Sequence, residues 1–374
     1  MRRRIVLLLT AVLLFLRIPV ALADQDVKAY CVAPLGSAGS VAELNADEPM
    51  RVAGLSKLPA VLTLCNAFDS ELIDRNATVT VSQSAAKING PTAFLQATET
   101  ISATELIRAA VMISAGDAIW ALMEHAFGSE EVFLQNISLM LHKLGIEKTL
   151  SGCLGTDDSF SCRELILLSE SAMNSETFRT YCAEKYAILH HADGRETELA
   201  SANKLLSTLS GCVGLFTGSS KTDGYCGLFA CKRGDTTFLC AVLGAPNSKS
   251  RSDAATKLLE EAFANYKTVT LAEPSEPVVP EWPVAGTDGE TVDLFAKESV
   301  TLLLKKSDGE PDIQFDLPDA LTPPLDPEFS VGTATFYAKD GSVLSQLALY
   351  PDRAIVSSDF RSVLMRVFQG FLSD

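Results

Sequence analysis

Positive charge is what this sequence is short of. Its 31 Lys and Arg stand against 47 Asp and Glu, for a formal net charge of −16. Arginines 2, 3, 4 and 17 lie in a leader-like segment without acids, so −16 less those four charges gives −20 for the remainder. Charge of that sign excludes nucleic acid, or an anionic membrane, as a partner held by bulk electrostatic attraction. Metal-ligand spacings are missing too. No CxxC or HExxH occurs, and the adjacent His190 and His191 do not easily converge on one ion. No metal or cofactor is therefore expected. Internal repeats are lacking. So is an apolar run of the ~20 residues that a spanning helix needs, because the run from Ile5 to Leu16 ends at Arg17 and Pro19.

What is present begins with that leader. Arg2, Arg3 and Arg4 precede the apolar run, and Ala21-Leu22-Ala23 has the small-x-small pattern at which a signal peptidase cuts. Residues 1–23 are expected to be a cleaved signal, the mature chain to start at Asp24, and the protein to be exported to the cell envelope. The remaining length is too great for one compact domain, so two are expected. Nine cysteines follow the leader, an odd number that cannot pair completely. Buried reduced thiols are the expectation for most of them, while Cys153 and Cys162, flanking a polar loop, are placed to form a disulfide.

Strands are expected at 26–33 and 40–44, then a buried helix near 55–68 with Pro59 in its first turn. Ser102 and Glu105 have the spacing of a capping box, opening a helical region that continues through 118–125, 129–144, 161–172 and 175–183. Strand-like runs at 212–216, 226–232 and 237–243 follow, then a helix at 252–266. This pattern predicts an α/β (α+β) domain over 24–268, with a helical cluster on an antiparallel sheet. Four prolines in 272–285 mark a linker over 269–285. Short strands then suggest a β-rich domain over 286–356. In the tail, 357–374, apolar residues from Phe360 to Leu372 recur at steps of three and four, forming one stripe. The stripe fits either peripheral membrane contact through 359–372 or docking on the protein itself.

Three stretches carry a resemblance. Asn45-Ala46-Asp47 precedes Val52-Ala53-Gly54-Leu55-Ser56-Lys57; a second run ends Ile113-Ser114-Ala115-Gly116-Asp117-Ala118; a third is Gly214-Leu215-Phe216-Thr217-Gly218, leading to Gly224-Tyr225-Cys226. In order and spacing they resemble the Ser-x-x-Lys, Ser-x-Asn and Lys-Thr-Gly elements of the serine-type D-Ala-D-Ala carboxypeptidases (peptidase family S11, low-molecular-weight penicillin-binding proteins). The resemblance runs over about 26–265 and implies a serine β-lactamase/transpeptidase-like domain, with a small β-rich domain and an amphipathic helix after it. In that family the serine is acylated by a D-Ala-D-Ala peptide, or by penicillin mimicking it, and water releases the product. Such chemistry needs an activated nucleophile and donors for the developing oxyanion.

Position by position, the resemblance implies an altered site. Gly54 stands at the nucleophile, Gly116 at the asparagine, and Phe216 at the lysine of the third element, whereas Lys57, Ser114, Thr217 and Gly218 remain. Ser56 lies two positions after Gly54 and should point away from the cleft. Lys221-Thr222 is an echo outside the aligned stretch. Loss of the serine from one serine protease costs on the order of 10^6-fold in kcat, so ordinary carboxypeptidase activity is not expected. Three readings follow. A non-catalytic relative would use Lys57, Ser114, Thr217 and the N–H groups of Gly54 and Ser219 to bind a peptidoglycan stem peptide or a cell-wall enzyme. A hydrolase would use an unusual nucleophile, Ser114 being the candidate. A structural or adaptor protein would act through the second domain and the tail.

Overall fold

The computed structural model describes residues 26–36, 39–155, 158–287 and 289–356. The leader (1–23) and the tail (357–374) lie outside the described residues. The chain divides into two compact units, 1–262 and 263–374.

The first unit is built on a five-stranded antiparallel sheet in the order Ala42–Leu44, Ala29–Pro34, Thr236–Ala245, Gly224–Arg233, Cys212–Ser220. Both faces are covered, which is why its central strands read as continuous apolar runs rather than alternating ones. Leu228, Ala230, Leu239, Ala241 and Leu243 join the core beneath the helices Leu58–Asp69, Ala103–Ile113, Gly116–Phe127 and Cys162–Asn174. By strand alternation Phe229, Phe238, Cys240 and Val242, all buried, face the opposite side. Helix Ser248–Asn265 lies there, and its Arg251 donates to the carbonyl of Cys226 at 3.2 Å.

Local signals explain where the helices start. Ser102 accepts from the Glu105 N–H at 3.2 Å, one half of the capping box expected there, while the Glu105 carboxylate lies 3.6 Å from Arg108. Ser161 and Glu164 form a reciprocal capping box on helix Cys162–Asn174. The helix expected from about position 55 instead begins at Leu58, with Pro59 in its first turn, and residues 53–57 form a separate 3-10 turn. A hairpin of Tyr186–His190 with Glu196–Ala200 was not anticipated. Neither was the anticipated Cys153–Cys162 bond found: both are buried free thiols.

The second unit carries a five-stranded antiparallel sheet in the order Val279–Pro283, Thr291–Phe295, Val343–Pro351, Gly332–Tyr337, Asp312–Asp316. Its core includes Val292, Leu294, Ala334, Phe336 and Leu349. A further pair joins Tyr266–Ala272 to Val300–Lys305. The stretch expected to be a linker, 269–285, is thus largely strand. Pro274 and Pro277 lie between strands, and Pro280 and Pro283 are tolerated because Val279–Pro283 is an edge strand, where neither need donate to a second neighbour.

Candidate active-site cleft

The 3-10 turn Ala53–Lys57 packs on the edge strand Cys212–Ser220. In a 3-10 turn positions three apart eclipse one another, so Gly54 and Lys57 fall on one side. Ser56 does not. Its hydroxyl donates to the carbonyl of Ala53 at 2.8 Å, and the backbone of Gly155 passes Ser56 so closely that a Cβ on Gly155 would lie 2.6 Å from the Ser56 carbonyl oxygen. Ala53 and Ser114 hold φ of 50° and 51°, a left-handed conformation that costs a non-glycine residue about 1–3 kcal/mol.

Lys57 is 6% exposed, and its Nζ donates to the backbone carbonyl of Ser114 at 3.0 Å. Burial pushes its amine below the ordinary 10.5, against the attraction of Asp117 and Cys153. The neighbouring Gly116 has no spare room. A Cβ there would lie 2.8 Å from Cγ2 of Ile88 and 3.3 Å from Nζ of Lys57, and its N–H already donates to the carbonyl of Pro91 at 2.8 Å.

Asp117, passed over by sequence reasoning, fixes this wall. Its buried carboxylate accepts from the N–H groups of Ala93 (2.8 Å), Leu95 (3.0 Å) and Ala118 (2.9 Å). It thereby pins the 93–95 backbone, and its charge is the main attraction on the Lys57 amine. The one sequence signal was an acid in the first turn of a helix, a place that the helix dipole favours.

The strand side is equally tight. A Cβ on Gly218 would lie 2.6 Å from the nitrogen and 2.7 Å from the Cα of Gly54, so the two backbones touch where a nucleophile side chain would begin. Phe216 shares the Gly218 side of the strand by alternation. It is 2% exposed and belongs to the core, its ring 6.4 Å from that of Phe178. Thr217 is half-buried and Ser219 exposed. Lys221 and Thr222 sit in the turn after the strand, where Thr222 donates to Asp223 at 3.0 Å.

The fold therefore brings Gly54, Lys57, Ser114, Gly116 and Gly218 together and turns Phe216 into the core. What converges is one buried amine among backbone groups. The amine has no hydroxyl at position 54 from which to take a proton. Among the described residues no group of three or more His, Cys, Asp or Glu is placed to hold a metal ion. A groove of about 970 Å³ along helix Glu130–Lys143 is lined by Glu130, Leu134, Leu139 and His142 among others, rather than by residues of the three motifs.

Comparison with known proteins agrees with this geometry at the level of fold. Residues 21–247 match the D-alanyl-D-alanine carboxypeptidase family (peptidase S11), and residues 266–357 match the C-terminal domain of penicillin-binding protein 5. D-alanyl-D-alanine carboxypeptidase DacF of Bacillus subtilis is 24% identical over 328 residues, covering 86% of this chain and 84% of the relative. DacC of Escherichia coli is 27% identical over 312 residues, covering 77% and 76%. Penicillin-binding protein 5 from Haemophilus influenzae superposes with a TM-score of 0.73 at 21% identity, covering 89% of this chain and 98% of that one.

Proposed function

The chain belongs to the D-alanyl-D-alanine carboxypeptidase family, peptidase S11, and from that premise we propose that it is an exported, catalytically impaired member that binds peptidoglycan stem peptides or a cell-wall partner. One observation carries this reading. At the nucleophile position Gly54 has no side chain to acylate, and its backbone is packed against Gly218. The other altered positions support it. Ile88 fills the space beside Gly116, and Phe216 is committed to the core, so neither leaves a group to orient a substrate amide or bind a terminal carboxylate by charge. Thr217, Ser219 and the buried Lys57 amine are the polar groups on which binding would rest.

Intact-mass measurement of the mature protein after incubation with excess penicillin tests the impairment. The expected result is an unchanged mass with the circular dichroism of a folded chain. An adduct of one β-lactam overturns the reading, and peptide mapping then locates the nucleophile.

One contact favours a second reading. The Lys57 amine, made easier to deprotonate by burial, touches the backbone of Ser114, a serine in strained conformation. In this reading Ser114 is the acylated residue. A penicillin adduct mapped to the peptide containing Ser114 decides for it.

A further inference from the structure

Seven of the nine cysteines are chemically quiet. Cys31, Cys65, Cys153, Cys162, Cys182, Cys226 and Cys240 are fully buried, and burial pushes each thiol up, those of Cys31 and Cys182 to about 12. Buried thiols of that kind neither ionise nor meet an oxidant. Cys212 and Cys231 differ in position. They face each other across the two strands Cys212–Ser220 and Gly224–Arg233, as register partners. Cys212 is half-buried and open to an incoming reagent, whereas Cys231 is fully buried behind it.

The surroundings divide the roles. The neighbouring Cys231 thiol first, then the Gly214 N–H, favour charge on Cys212 and hold its thiol below 9.0 despite burial. The adjacent Cys212 thiol, with burial, pushes Cys231 up. One half-buried thiol backed by one fully buried thiol is the arrangement of an attacking and a resolving cysteine. Directly opposed Cβ atoms in an antiparallel pair lie about 4.5–5.5 Å apart, and a disulfide asks for about 3.5–4.5 Å. Closure is therefore a movement on the order of 1 Å. It falls at a register shift, where Gly214 pairs with Ala230 and Cys212 with Cys231, leaving Val213 as the extra residue. Bulges bend and twist a strand locally, so the sheet is already irregular at that point.

We propose that Cys212 and Cys231 form a redox-active pair that closes to a cross-strand disulfide on exposure to a small-molecule disulfide oxidant. The Cys212 thiolate attacks one sulfur of the oxidant, forming a mixed disulfide and expelling one thiolate, which takes up the proton of Cys231. The Cys231 sulfur then attacks Sγ of Cys212 and expels the second thiolate, which takes up the proton first lost by Cys212. Two protein thiols are oxidised by two electrons, and one oxidant disulfide is reduced to two thiols. The bond would tie the edge strand that faces Gly54 to its neighbour.

The test uses the full chain, reduced, freed of reductant, and incubated with oxidised glutathione. Free thiols are then blocked under denaturing conditions and the protein digested. The expected product has lost two hydrogens, carries a linked pair of peptides containing Cys212 and Cys231, and has its other seven cysteines blocked. In Cys231→Ser the mixed glutathione disulfide should persist on Cys212, because nothing resolves it. The proposal is overturned if the wild-type chain keeps all nine thiols, links a different pair, or accumulates the Cys212 adduct without resolving it. The wild-type mapping decides even if the variant does not fold.

Discussion

Gly54 and Gly218 touch backbone to backbone: a Cβ built on Gly218 comes within 2.6 Å of the Gly54 nitrogen, 2.7 Å of its Cα and 2.8 Å of the Leu55 nitrogen. All three are main-chain atoms, so no side chain can rotate away. Gly218→Ala must push the edge strand off the 3-10 turn, and overpacking of this kind costs about 1–3 kcal/mol. In the reverse direction a Cβ on Gly54 meets only the Gly218 Cα, at 3.3 Å. Gly54→Ala should therefore be the milder change. Urea unfolding of both variants checks the order, and a Gly218→Ala protein as stable as Gly54→Ala would contradict the contact.

Restoring the serine should not restore acylation. In Gly54→Ser the hydroxyl would face an amine already engaged with the Ser114 carbonyl, without the asparagine and lysine positions of the other two motifs. Adding Gly116→Asn requires Ile88 to leave, because a Cβ would lie 2.8 Å from its Cγ2. Adding Phe216→Lys places an ammonium in the core beside Phe178, where an unpaired charge is strongly destabilising. The single Gly54→Ser variant is expected to show no penicillin adduct by mass, and the triple variant to unfold at lower denaturant than wild type. A stable, acylated triple variant would show that the cleft has kept its catalytic shape.

The positions of Gly54 with Lys57, Ser114 with Gly116, and Phe216 with Gly218 could be located because the three short stretches around them resemble the elements of the carboxypeptidase family in order and spacing. What lay hidden was contributed from a distance. Ile88 and Asp117 matter through contacts with Gly116 and with the 93–95 backbone, and the only local mark on either is the place of Asp117 in the first turn of a helix. Phe216 was placed in the cleft by alignment, yet a strand covered on both faces offers its side chains no obvious sign of which face is the core. The sheet itself was readable for the same reason that this one side chain was not: apolar runs indicate burial without indicating direction. The second unit shows the opposite failure, since four prolines looked like a linker until one of its strands proved to be an edge.

The hairpin Tyr186–His190/Glu196–Ala200 should depend on one buried histidine. His191 has a fully buried side chain, with Nδ1 3.0 Å from Glu99 and Nε2 2.9 Å from the Thr197 hydroxyl. Arg195 donates to the same Glu99 carboxylate at 3.0 Å. With the Nδ1 proton directed at the carboxylate, Nε2 accepts from Thr197. Thr197→Val keeps the volume and removes the donor, leaving a buried acceptor unmatched at about 1–3 kcal/mol. Hydrogen exchange should show lost protection across 186–200 while the 212–245 strands keep theirs. Equal loss in both would mean that the histidine is part of the global core rather than a local latch.

Lys57 should leave its mark on the pH dependence of stability. Burial lowers its amine below 10.5, with Asp117 and Cys153 opposing the shift. Between the lowered value and 10.5 the unfolded chain therefore holds a proton that the folded chain has released. Stability consequently rises with pH across that window. Below it both states are charged, so the folded state bears the desolvation of the ammonium; above it both are neutral and the burden is gone. Lys57→Met removes the titration and gives up the hydrogen bond to Ser114, which is worth about 0.5–1.5 kcal/mol when both partners are neutral. The methionine variant should therefore compare best with wild type near neutral pH and lose ground as pH rises toward about 10. Urea midpoints of both proteins along that range supply the measurement. Parallel profiles would mean that the buried amine keeps its proton throughout, held by the Asp117 carboxylate, and the case for Lys57 as a base activating Ser114 would fall with it.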